Sequence, residues 1–226
     1  MNYDQIFEAY YTLYRAEAET PPSSDEEYVT GIRLANEAIS RWVNYDNTFW
    51  NELYTTLGTE GQSITVSSNT TYAGPTNMRS PGGHVIVRDD NGNTLKRYPL
   101  IEPHQVQMKG DTNMYCTFTG NAATGFSFTV NPSPDEAIQG KTFDFMYYRN
   151  PTLIQGGGDV PDMRNPYFIV NRMLANRFRA SRNWSAYQTA MRDAEEALKV
   201  MQLENNSGTW SNPWKLEDNS GTIWGL

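Results

Sequence analysis

Histidine and cysteine are nearly absent: the chain of 226 residues holds His84, His104 and a single cysteine, Cys116. One cysteine excludes an internal disulfide framework and fits a chain made in reducing surroundings. The three residues offer no metal-ligand spacing. A Cys/His nucleophile pair is formally open, but nothing around it resembles a triad. Long apolar runs are missing too, and the mean hydropathy of −0.66 excludes a membrane-spanning helix. The opening MNYDQIFEAYY has neither a basic nor an apolar leader region, so no signal peptide is visible. Positive charge is in deficit, with 18 Lys and Arg against 26 Asp and Glu. The net −8 argues against the chain as a whole gripping nucleic acid. Neither G-x-S-x-G nor a dinucleotide fingerprint occurs, and Gly156-Gly157-Gly158-Asp159 lacks the Lys and Ser/Thr of a phosphate loop. No catalytic residue, cofactor or metal is expected, and the chain reads as no enzyme.

What is present is helical at both ends. From Asn165 to Glu204, apolar residues recur at steps of three and four: Ile169, Met173 and Leu174, then Trp184, Tyr187, Met191, Ala194, Leu198 and Met201. That spacing predicts a helical hairpin or a kinked pair, broken at Ser181-Arg182-Asn183, where Ser and Asn side chains compete for backbone hydrogen bonds. Residues 3–19 read as a first helix with Ile6, Tyr10 and Leu13 on one face. Thr20-Pro21-Pro22 stops it. Ser23 and Ser24 offer capping boxes to a second helix that carries Ile32, Ala35, Ile39 and Trp42. A short further helix is expected through Phe49, Trp50, Leu53 and Leu57, capped by Gly58.

Between these ends the period changes to two. Residues 63–66, 84–87, 126–130 and 142–147 read as strands, and Asp90-Asn91-Gly92-Asn93 reads as a hairpin turn. The expected fold class is α+β: a helical bundle formed by N- and C-terminal helices, with an inserted small antiparallel β domain and an extended C-terminal arm. The expected boundaries are 1–58 and 156–204 for the helical body, 59–155 for the β domain and 205–226 for the arm. The triple glycine at 156–158 reads as flexible.

The arm, NNSGTWSNPWKLEDNSGTIWGL, sustains no period yet carries Trp210, Trp214 and Trp224, half of the tryptophans. Indoles are costly to leave in water, so the stretch either folds back on its own subunit or docks on another protein. Docking is the reading favoured here, with Trp210, Trp214, Lys215, Leu216, Ile223, Trp224 and Leu226 as the docking residues. Charge is segregated as well. Residues 1–60 hold eleven acids against Arg15, Arg33 and Arg41. Residues 163–192 hold Arg164, Arg172, Arg177, Arg179, Arg182 and Arg192 and no acid. Arginine without lysine suits bidentate pairing. The acidic N-terminal helices (within or between subunits), an acidic partner protein or phosphate could each be its counterpart.

The order of segments is familiar. Two N-terminal helices end in a Trp-x-x-Leu stretch, Trp50 and Leu53, and lead into the β insertion. FSFTVNPSPDEAIQGKTFDFMYYRNPT follows, then Asp159-Val160-Pro161-Asp162 before a helix with Phe168-Ile169-Val170. The last helix ends in Glu195, Glu196, Ala197, Leu198 and Met201. Over residues 1–204 this resembles the head-to-tail adaptor proteins of tailed bacteriophages, of the tail tubular or head-completion type. The resemblance implies a structural virion protein at the portal–tail junction, assembled in the host cytoplasm. It implies a ring, generally dodecameric, joining the portal protein to a tail or nozzle protein, with DNA passing through the lumen and no membrane partner. The arm would reach a portal subunit. Two other readings stand beside it. One is a carbohydrate- or cell-wall-binding module that uses β-domain aromatics as a platform. The other is an adaptor with weak cell-wall hydrolase activity, for which Glu102, Asp135 and Glu136 are the candidate carboxylates.

Overall fold

A computed structural model describes residues 1–15, 20–109, 113–121 and 123–207. In chain order the elements are α1 (Tyr3–Arg15), α2 (Glu26–Val43), β1 (Tyr54–Thr56), β2 (Ile64–Thr65), β3 (Thr71–Ala73) and β4 (Met78–Pro81). There follow β5 (Val85–Arg88), β6 (Thr94–Tyr98), α3 (Val106–Lys109), β7 (Tyr115–Asn121) and β8 (Gly125–Asn131). The chain continues through β9 (Thr142–Asp144), β10 (Met146–Arg149), α4 (Tyr167–Ala180) and α5 (Trp184–Ser207). Helices and antiparallel sheets make the class α+β. Two compact units result: Met1–Glu52 with the described residues from Pro151 onward, and Leu53–Asn150.

In the helical unit, α2 begins where Asp25 accepts the Glu27 amide at 2.7 Å, with Glu26 and Glu27 in the positive first turn. The cap is Asp25, not either serine, because the Pro22 carbonyl takes the Asp25 amide and turns the chain there. Tyr3, Ile6, Phe7, Tyr10 and Tyr11 of α1 are buried, whereas Leu13 lies outside at 61% exposure. α4 packs against α1, α2 and α5 and buries Phe168, Ile169, Val170, Met173, Leu174 and Ala175. α5 buries Ala190, Ala194, Leu198 and Met201, while Tyr187 and Met191 are half-buried and Trp184 is exposed. The turn from α4 to α5 places Arg182 at φ +59°, and Asn183 caps α5 by accepting the Ala186 amide at 3.3 Å.

Chain returning from Pro151 is tied down first on α2. There the Asn36 side chain pairs with both the amide and the carbonyl of Ile154, each at 2.9 Å. The triple glycine, read from sequence as flexible, then serves α1. Asp159 and Gly157 carbonyls accept the amides of Tyr3 and Asp4 at 2.8 and 3.0 Å, satisfying donors that a helix start leaves orphaned. The Asp159 carboxylate accepts the amides of Gln155 and Gly156, which holds its pKa below the usual carboxylate range. A Cβ on Gly157 would overlap the Asp4 carboxylate, which itself accepts the Tyr28 hydroxyl at 2.6 Å. Gly157→Ala is therefore expected to lower stability by about 1–3 kcal/mol, read as a lower midpoint in chemical denaturation. An unchanged midpoint would show that the loop, not the glycine, sets the fit.

The β unit holds three sheets, in strand orders β1-β10-β4, β2-β9-β5-β6 and β3-β8-β7. The helix expected through Phe49–Leu57 is absent: residues Asn51–Leu53 form a 3-10 turn and Tyr54–Thr56 is a strand. Tyr54 and the two β-branched threonines suit a pleated surface, and they pair with Tyr148, Tyr147 and Met146. The units accordingly divide at Leu53 and Asn150 rather than at 59 and 155. The strand read as 142–147 is two strands that part at Phe145, which is buried. The 90–93 turn forms, with Gly92 at φ +83° and the Asp89 carboxylate accepting the amides of Asn91 and Asn93. Phe128 is fully enclosed and meets Phe143, Phe145, Phe118 and Tyr72 with ring centroids 5.2–5.5 Å apart. Edge-to-face pairing with Phe143 and Phe145 is a geometry that aromatic quadrupoles favour.

Candidate functional site

The arginine run divides by partner. Arg164 lies 3.0 Å from Glu52 and 3.6 Å from Glu204. Arg177 donates to the buried Tyr10 hydroxyl at 2.7 Å and to Glu27 at 3.2 Å. Both therefore use acids of their own chain, and both bind the helix pair α4–α5 or its approach to the N-terminal segment. Arg192 sits exposed beside its neighbour Asp193 at 3.4 Å. Arg179 and Arg182 are exposed and make no ion pair among the described residues. Next to them Trp184 is 58% exposed and stands edge-on to Tyr187, centroids 6.0 Å apart. Arginine, tryptophan and tyrosine together on a rigid hairpin turn are the residue types that anchor protein interfaces.

Arg172 differs from the rest. Its Nη1 lies 2.8 Å from the Met191 sulfur, a weak acceptor, and its Nε is buried without a partner. Burial and the like charge of Arg41 lower its pKa, with Tyr187 and Glu195 opposing. It borders a cleft of about 290 Å³ in the helical unit. Phe168, Met191, Ala194 and Leu198 give this cleft an apolar wall, and Arg41, Tyr45, Asp46 and Glu195 give it a polar rim. Asp46 and Asn47 there adopt φ +46° and +51°, and the Gln202 amide holds Asp46 at 3.2 Å. This pocket was not legible in the sequence, because its walls come from three separated segments.

The far end of α5 is also fixed. Asn205 is buried, accepts the Asn51 amide at 2.8 Å and donates to the Phe49 carbonyl at 2.8 Å. Residue 205 thus belongs to the helix rather than to an arm. The docking residues expected in it, Trp210, Trp214, Lys215, Leu216, Ile223, Trp224 and Leu226, lie outside the described residues.

The remaining candidates are placed as follows. Cys116 is fully buried, its thiol donating to the Tyr98 carbonyl at 3.3 Å and pushed up to about 12 by burial. Burial of this kind keeps the thiol protonated at neutral pH. His84 Nδ1 accepts the Leu100 amide at 3.3 Å, and His104 sits 3.1 Å from Glu102. Asp135 pairs with Lys96 at 2.9 Å and Glu136 is exposed on a 3-10 turn. No cluster of metal-ligating side chains occurs among the described residues. No Phe, Tyr or Trp of the described β unit is among the exposed large apolar side chains. Among the described residues no helix is long and apolar enough to cross a membrane. No family model matches the chain, and no curated protein does.

Proposed function

We propose that this chain is a structural protein of a tailed-phage virion, a ring-forming adaptor between the portal and the tail. Its helices from both chain ends form one bundle, the antiparallel β domain is inserted in it, and an extended C-terminal arm leaves it. Genome DNA passes through the lumen of the ring, which an acidic chain suits because repulsion keeps a duplex off the wall. The segment order over residues 1–204 supports this reading. The observation that carries it is the α4–α5 turn, where Arg179, Arg182 and Trp184 stay exposed although acids of the same chain take Arg164 and Arg177. Such a surface suits the acidic N-terminal helices of a neighbouring copy, where Glu8, Glu26 and Glu37 are exposed.

The test is co-sedimentation with the portal ring encoded in the same genome. The full chain is expected to bind as a saturating ring. The variant Arg179→Ala/Arg182→Ala/Trp184→Ala is expected to keep its fold, since those side chains are exposed, and to need about 30-fold more protein for saturation, as losing one hot-spot anchor of about 2 kcal/mol implies. A chain ended after Ser207 reports on the arm: if it also fails to bind, the arm is a docking element. Failure of the full chain to bind any portal ring would remove the proposal.

A further inference from the structure

Arg172 lacks the acceptor that a half-buried guanidinium calls for. Its Nε is buried without a partner, and Nη1 faces the Met191 sulfur at 2.8 Å, a weak acceptor. Neither Arg172 nor Arg41, whose charge it feels, makes an ion pair among the described residues. A carboxylate would match the planar fork with two parallel hydrogen bonds, which a thioether cannot do. Met191 can give way, because its unbranched side chain has three rotatable bonds and its sulfur is weakly held.

The remaining walls limit what can carry that carboxylate. Phe168, Ala194 and Leu198 line the cleft, yet they are only 2, 0 and 5% exposed. Their apolar surface is therefore a narrow recess, which admits a compact body and not the broad face of another protein. A volume of about 290 Å³ is at the small end for ligand sites. At the rim, the exposed Asp46 and Glu195 would repel a second acid group. They select against phosphates and dicarboxylates.

We infer that the Arg172 cleft binds a small apolar monocarboxylate, an aryl- or alkyl-substituted alkanoic acid. Its carboxylate sits on the Arg172 guanidinium with Arg41 alongside, and its apolar body fills the recess of Phe168, Ala194 and Leu198. All of these residues lie in the helical unit of one chain, so such binding needs neither a ring nor a portal.

Isothermal titration calorimetry of the full chain with hydrocinnamate tests this. One molecule per chain is expected to bind. Phenethylamine, of similar shape and opposite charge, and inorganic phosphate are expected not to compete. Arg172→Met fills similar space without a donor, so it is expected to keep the fold. It is expected to weaken binding about tenfold or more, the ratio for one charge-assisted hydrogen bond. Should that variant unfold, Arg41→Glu reports instead. Arg41 is exposed, and reversing its charge is expected to weaken binding about threefold. No saturable binding at millimolar hydrocinnamate overturns the inference. So does equal binding of phenethylamine, which marks a merely apolar recess, or displacement by phosphate, which marks a surface anion patch. Unchanged affinity in folded Arg172→Met, or in Arg41→Glu where Arg172→Met unfolds, overturns it as well.

Discussion

Trp50→Ala is expected to remove about 3–5 kcal/mol of stability from the helical unit, the range for truncating a buried indole. Trp50 is 1% exposed, and its ring lies 5.3 Å from that of Trp42, tilted by 34°. Its Nε1 also donates to the Trp42 carbonyl at 2.9 Å, near the end of α2, where helical carbonyls run out of intrahelical donors. Truncation thus removes packing and the indole's hydrogen bond to a carbonyl that otherwise shares the Asn44 amide with Ser40. Trp50→Phe separates the two: it keeps most of the apolar volume and is expected to lose mainly the hydrogen bond and the smaller ring's contacts, about 1–2 kcal/mol. Against a total of about 5–15 kcal/mol for a typical domain, the alanine variant should shift the denaturation midpoint by a large fraction. A loss below about 1 kcal/mol for alanine would mean that the loop from Thr48 to Glu52 repacks freely, and the two indoles are then no anchor.

Arg177→Ala is the second large effect, expected at about 2–3 kcal/mol. The guanidinium is 26% exposed at its side chain and Glu27 is 18% exposed, so the full figure for breaking a buried pair is discounted for screening. The loss comes mostly from what remains. Tyr10 keeps a buried hydroxyl without its charged donor, and Glu27 keeps Arg15, at 3.5 Å. Arg177→Lys restores charge but not the fork that spans two acceptors, so it should recover less than half of the loss. Burial raises the Tyr10 pKa to about 12, with Arg177 pulling the other way. The proton is then held more tightly when folded, so this contribution is complete below pH 10 and is lost as pH rises towards 12. Urea titrations of the wild type and Arg177→Ala at neutral pH and above pH 10 measure both effects.

How much of this could be read in advance depended on the range of the interactions. The α4–α5 hairpin and its break at Ser181–Asn183 follow from local spacing and capping, and both are where the sequence places them. Periodicity did not say how far each face would be covered, so Leu13 and Trp184 lie outside although they continue apolar stripes. The spacing of Phe49, Trp50, Leu53 and Leu57 imitates a helix. It was overruled by pairing of Tyr54 with Tyr148, a partner that no local window contains. β7 escaped for a related reason: Tyr115, Cys116, Thr117 and Phe118 are buried in succession, so no alternation marks the strand. The charge segregation was plain in the sequence. Which arginines are consumed and which remain was not, because Arg177 meets Glu27 across 150 positions.

The pairing of β1 with β10 bears on how the chain folds. These are the first and last strands of the Leu53–Asn150 unit, and Tyr54 lies opposite Tyr148. Helices α1 and α2 are synthesised long before α4, the element on which they pack. Bringing such distant segments together carries a loop-closure entropy that grows with the logarithm of the intervening length. Once β1 and β10 have zipped, that long excursion is shorted to a gap about one strand spacing wide, near 5 Å. With that pairing in place, the loop-closure cost of bringing the N-terminal helices to α4 falls to that of two nearly adjacent segments.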